Sequence, residues 1–269
     1  MTGLDSTRLA GRTRGTLLVI FLLSGVGLAY EVTLTRLFSL IFQYHYVFLI
    51  VSVAIAGLSV GAALATLTLR GKRLCDEWSD LVYAAVLLAF LLVGATVVLS
   101  ELRSASLIGV ALAAALLPFV GIGFLNAALF ASFARFGGVL YAADLLGGAA
   151  GLAAALAAIS WLGAFDTIIA LGILCAGVAF ILAWTSRRRP IQVTTLSVCA
   201  LLIVGLLANR ATGLIAFSPA ALADAPPDKT MMLVLQDPQA TLIETRWDPF
   251  ARVDMVETAD ESLRYVFTD

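Results

Sequence analysis

The chain has 269 residues, 61% of them hydrophobic and only 13% charged, with a formal net charge of −1 and a mean hydropathy of +1.00. So little polar surface cannot cover so much apolar volume in water, which excludes an ordinary soluble globule and makes lipid the bulk solvent. The charge is also unevenly spread, with 12 basic and 8 acidic groups in residues 1–209 against 5 basic and 10 acidic in 210–269, and an acidic tail does not suit nucleic acid.

A helix needs roughly 20 apolar residues to cross about 30 Å of hydrocarbon. The first apolar run, 15–30, follows Arg8, Arg12 and Arg14 and has the outline of a secretory signal, with Gly27 and Ala29 as small residues near its end. Its helical pattern continues through YEVTLTRLF, which points to an uncleaved first span. A longer run at 37–69 is interrupted only by His45, which sits between Tyr44 and Tyr46 as a residue of an interfacial aromatic belt. Runs at 81–100, 104–134, 145–165, 167–186 and 190–209 complete seven spans. The 104–134 run exceeds one straight crossing and contains Pro118, Gly121, Gly123 and Asn126, so a single kinked or tilted helix is expected. The loops are short, and successive helices are therefore expected to pack as antiparallel neighbours.

On this seven-span reading, one side of the membrane holds ten Lys and Arg residues in its loops and the other only two, Arg103 and Arg210. The bias places the N-terminus in the cytoplasm and the tail outside, in a bacterial-type plasma membrane. Cys75, Cys175 and Cys199 have no spacing typical of a metal site or disulfide framework and read as packing residues.

Residues 1–209 thus form an all-α polytopic helix bundle, and 210–230, with Pro226 and Pro227, a linker. In 231–269 the segments TLIETRW, RVDMVET and SLRYVFT tend to alternate, as at Val253/Met255 and Leu263/Tyr265/Phe267, which is the period of half-buried strands. Asp248 and Pro249 mark the turn between the first two. Such a hairpin or meander is incomplete as a domain, because three short strands need another layer to pack on. That layer could be a downstream domain, a separate subunit or the outer face of the bundle.

Glu31 and Arg36 lie at the outer end of the first span, either as a polar site at the bundle mouth or as interfacial anchors. Five residues apart on one helix, they point about 140° away from each other. Tyr141 and Asp144, three apart, share a helix face, and Asp144 stands near the start of a span where the helix dipole favours a carboxylate. Asp166 in GAFDT reads as an N-cap. Gly147 with Gly151, extended by Ala155, and Gly57 with Gly61 form GxxxG steps that let helix backbones approach closely. There is no Gly-rich nucleotide loop, HExxH, CxxC or Ser/His/Asp set, so no complete active site, metal site or cofactor site can be assembled from these residues alone.

Three segments, SGVGLAYEVTLTRLFSL, GGVLYAADLLGGAAGLAAAL and ETRWDPFARVDMVET, resemble the membrane-bound spermidine synthase-like (polyamine aminopropyltransferase-like) family. The resemblance implies a multi-span domain followed by a small β-hairpin region leading into a Rossmann-like domain that binds decarboxylated S-adenosylmethionine and a polyamine. It implies that the cofactor loop and catalytic acids lie downstream of Asp269. Tyr30, Glu31, Arg36, Tyr141 and Asp144 match the family's recurrent polar positions. The expectation is a membrane domain, truncated or split before its catalytic domain and not catalytic by itself. Two alternatives stand beside it: a bundle in which Glu31, Asn126 and Asp144 bind or transport a small cation such as a polyamine, and a scaffold that docks a separate soluble subunit through its strands.

Overall fold

The computed structural model describes residues 3–42, 46–68, 78–186, 189–216, 229–248, 251–258 and 264–268. His45, Tyr44, Cys75, Pro226, Pro227, Pro249 and Leu263 lie outside them. Seven of the helices among these residues are long and apolar enough to cross a membrane. They are α1 (Gly3–Ile41), α2 (Val47–Thr68), α3 (Trp78–Ser100), α4 (Ile108–Ser132), α5 (Gly137–Leu162), α6 (Ala164–Ser186) and α7 (Arg189–Thr212). A short helix α8 (Thr230–Val234) and an antiparallel sheet β1 (Thr241–Trp247), β2 (Arg252–Glu257), β3 (Arg264–Thr268) follow, in the spatial order β1-β2-β3. The chain is a seven-helix membrane bundle with a small β cap.

Large side chains such as Phe48, Ile55, Leu87, Leu146 and Val204 face outward from α2, α3, α5 and α7. An apolar surface of this extent belongs in hydrocarbon rather than water. The most enclosed helices are α6, α1 and α3, while α2, α5 and α7 lie at the periphery.

The neighbours differ from those short loops were expected to impose. The most extensive contacts join α2 to α4, α1 to α5 and α3 to α6, not successive helices. Two of these crossings are parallel, because contacts advance together along both chains: Gly57 meets Phe119 and Gly61 meets Val120 and Phe124, while Gly147 meets Phe21 and Gly151 meets Gly25. A Cβ on Gly61, Gly147 or Gly151 would overlap the carbonyl oxygen of Val120, Phe21 or Gly25. Both GxxxG steps are therefore crossing points, and backbone fit outweighs loop length in choosing partners.

Two helix boundaries also move from their expected places. α1 continues to Ile41, and its apolar part, Arg14–Ile41, has 28 residues. At 1.5 Å per residue, Glu31 lies about 15 Å before the end of the helix instead of at it. α5 begins at Gly137, so Asp144 is two turns inside it and no longer near the helix dipole's positive end. α4 is one helix with Pro118 inside it, as its sequence suggested. Cys175 is buried and Cys199 half-buried, and both are free thiols.

The cap rests on the end of the bundle where α1, α5 and α7 finish. Met231 and Met232 of α8, Leu235, and Val256 of β2 join the same apolar core as the helices, so the bundle and α8 cover one face of β2, while β1 and β3 stay largely exposed. The face that β2 buries is not the one its apolar alternation indicated. Arg252, Asp254 and Val256 are buried, whereas Val253 and Met255 are only half-buried on the other face. Pairing explains the reversal: Arg252 Nε lies 2.8 Å from Asp254 Oδ2, and Thr245 Oγ1 donates to Asp254 Oδ1 at 2.6 Å. A buried ion pair satisfied in this way can occupy a position that pattern reading reserves for apolar residues.

Candidate functional site

The polar residues singled out within the spans divide into those the fold brings together and those it separates. Ser24 of α1 donates a hydrogen bond to Asp144 Oδ1 of α5, one turn from the Phe21–Gly147 contact. Close backbone approach makes this bond possible, since two short side chains can span the gap only where the helices nearly touch. Glu31 lies seven residues beyond Ser24, two helical turns on, and so falls on the same stripe of α1. That stripe runs between Leu28, which meets Gly148 of α5, and Gly27, which meets Ile122 of α4. Glu31 is half-buried there.

Tyr30 is fully buried, with its ring 5.0 Å from Phe119 and its hydroxyl 3.5 Å from the carbonyl oxygen of Ala115. It serves the α1–α4 packing. Asn126 is one turn past Ile122, which puts it at the level of Ser24 because α1 and α4 run antiparallel through the Gly27–Ile122 and Tyr30–Phe119 contacts. Its Oδ1 is buried and accepts no hydrogen bond from a described residue. Ser24 and Asp144 are thus bonded between α1 and α5, Glu31 lies two turns farther along α1, and Asn126 stands on α4 at the level of Ser24. Arg36 stands on a different side of α1, five residues and about 140° from Glu31. Tyr141 is exposed on the outer surface of α5, whereas Asp144, three residues on, is half-buried and bonded to Ser24.

A second polar site, at the capped end, is less visible in the sequence. Asp166 is not an N-cap: α6 starts at Ala164, directly after Gly163, and Asp166 sits inside the first turn, buried. Gly163 has φ 81° and ψ 169°, a conformation open to glycine, and this allows α5 to pass into α6 without a longer loop. Asn209 of α7 donates to Asp166 Oδ1 at 2.6 Å, and Arg210 Nη1 lies 3.7 Å from Asp166 Oδ2. Asn209 is itself fixed by the returning chain, because Gly213, at φ 65°, ends α7 and lets the Ile215 amide donate to Asn209 Oδ1 at 2.6 Å.

Trp247 of β1 closes this region. Its ring edge packs against Gly163, where an added Cβ would stand 3.3 Å from the indole, and the Arg252 guanidinium lies 5.6 Å from the ring centre. Between Trp247, the α5–α6 turn and the end of α7 lies a cleft of about 260 Å³. Only tertiary structure assembles it, since its polar residues come from positions 166, 209 and 210. The nearest sequence signal was an aspartate and an asparagine at the ends of two apolar runs. Compared with protein-family models, curated proteins and solved structures, the chain matches none of them.

Proposed function

We propose that the chain is the membrane domain of a spermidine synthase-like protein, not catalytic by itself, which presents the first strands of a synthase-like domain at one end of its helix bundle. One observation carries this reading: ETRWDPFARVDMVET, the segment with the most telling resemblance, supplies β1 and β2, an antiparallel hairpin docked on the bundle through α8 and Trp247. A platform needs such a fixed junction. The ten-to-two distribution of Lys and Arg supports a cytoplasmic N-terminus and a cap on the opposite side of a bacterial-type plasma membrane.

The test is the length and activity of the natural polypeptide. Its intact mass after membrane extraction, with the DNA read beyond codon 269, should reveal a downstream Gly-rich strand-loop-helix. Aminopropyl transfer from decarboxylated S-adenosylmethionine should then require that segment. A polypeptide ending at Asp269, or transfer activity by residues 1–269 alone, overturns the proposal.

A second reading is binding or transport of a small cation, including a polyamine, by the bundle. It is favoured by the Ser24–Asp144 bond with Glu31 on the same stripe, since carboxyl groups within spans are costly to hold without a role. Uptake of labelled spermidine into proteoliposomes separates the readings. Glu31→Gln and Asp144→Asn abolish uptake under the second and leave membrane insertion and cap docking intact under the first.

A further inference from the structure

The cleft beneath Trp247 carries both signs of charge on its wall. Asp166 Oδ1 is occupied by Asn209, but Oδ2 lies 3.7 Å from Arg210, beyond hydrogen-bond reach, and retains capacity to accept from a ligand. The Arg210 side chain is 45% exposed, so it can turn toward an incoming anion. On the same wall, the first backbone N–H groups of α6, at Ala164 and Phe165, have no intrahelical acceptor and favour negative charge. A simple cation would meet Arg210, and a simple anion would meet Asp166. A ligand carrying both charges a few ångströms apart satisfies each.

We propose that this cleft binds a small zwitterion, a primary ammonium joined by a short linker to a phosphate, as in a phosphoethanolamine headgroup. The ammonium donates to Asp166 Oδ2, and the phosphate takes Arg210 and the N-terminus of α6. An N–H donor is required on the cation because a carboxylate oxygen has to be satisfied, which disfavours a quaternary amine. The volume, about 260 Å³, is below that of pockets for drug-sized ligands and suits a headgroup. The surroundings favour a lipid as its source. Trp161, 85% exposed at the end of α5, and Leu214, 75% exposed after α7, flank the cleft. An outward tryptophan at the end of a spanning helix marks headgroup level, where lipid zwitterions are abundant.

The experiment is native mass spectrometry of the full chain released from nanodiscs containing equal amounts of phosphatidylethanolamine, phosphatidylcholine and phosphatidylglycerol. Phosphatidylethanolamine should be retained over the other two by about tenfold, the value of one charge-assisted hydrogen bond. Asp166→Asn should reduce that preference about tenfold, whereas Arg210→Gln, which removes a contact to the phosphate that all three lipids share, should lower the amount of phosphatidylethanolamine retained about tenfold. Asp166 is buried and its replacement could disturb folding, so the half-exposed Arg210 provides the decisive variant, with thermal midpoint as the check on folding. Equal retention of the three lipids, or unchanged phosphatidylethanolamine retention by a folded Arg210→Gln protein, overturns the proposal. Adding soluble O-phosphoethanolamine separates the sources. Displacement of the retained lipid assigns the cleft to a free zwitterion, and persistence assigns it to the intact lipid; both uphold the zwitterion chemistry.

Discussion

Where α1 crosses α5, the helices meet through the backbones of Phe21, Gly25, Gly147 and Gly151, with one side-chain hydrogen bond beside them; where β2 meets the rest of the cap, Arg252 and Asp254 are buried as an ion pair. The two regions answer to different solvents. Within lipid, moving an apolar side chain from tails to protein gains little, so helices associate through close van der Waals contact and the few polar bonds that it permits. At the capped end water is the competitor, apolar burial regains its value, and a polar group can be enclosed only with its partners. Met231, Met232 and Val256 supply the first condition, and Thr245, Arg252 and Asp254 meet the second.

The largest effect is expected in the cap. Arg252→Ala leaves Asp254 buried without its counter-charge, a loss on the order of 3–5 kcal/mol, which is enough to undock three short strands. Limited proteolysis should then cut within 241–268 while the helical circular dichroism of the bundle persists. If bundle and cap unfold together, the comparison between them fails.

Next comes the glycine crossing. Gly151→Val drives a side chain into the Gly25 carbonyl, and because backbone cannot step aside as a side chain can, the cost should reach about 3 kcal/mol, the upper part of the range for overpacking. Denaturant titration of the detergent-solubilised protein measures it, and a change under 1 kcal/mol would show that α1 and α5 can separate freely.

The hydrogen bond beside that crossing should matter less. Ser24→Ala is expected to destabilise by about 0.6 kcal/mol and no more than roughly 1.7 kcal/mol, the span of interhelical bonds in membranes. A double-mutant cycle with Asp144→Asn isolates the coupling, and a value near zero would make Asp144 a candidate for ligand binding alone.

The smallest effect, and the control, is Gly94→Ala on α3. A Cβ there meets nothing within 4 Å, so the replacement should be neutral or should stabilise by up to about 1 kcal/mol through helix propensity. Destabilisation at Gly94 would mean that glycines in this bundle act through something other than close approach.

Much of the bundle was legible because the membrane imposes length and polarity limits on each segment separately. The seven apolar runs, the single helix through Pro118 and the three strand segments could be read without knowing any partner. Helix ends were harder. Glu31 and Arg36 suggested that the first span stopped near them, yet α1 goes on to Ile41, because flanking apolar turns and neighbouring helices carry the charged positions along. The polar residues followed the same division. Asp144 was recognised as unusual in its run, but its partner Ser24 is 120 positions away and has no local signature. The Asp166 cleft was missed because a carboxylate at the start of a helix looks like a cap until Asn209 and Trp247 are placed beside it.

From sequence alone it followed that this chain lives in lipid, crosses it with seven helices and carries a small strand-forming tail, since those properties rest on local hydropathy and period. Tertiary structure alone decided that α1 chooses α5 and α2 chooses α4, that β2 turns Arg252 and Asp254 inward, and that positions 166, 209 and 247 enclose one cleft. These outcomes depend on which backbones can touch and which charges can be paired, and both are properties of two segments at once.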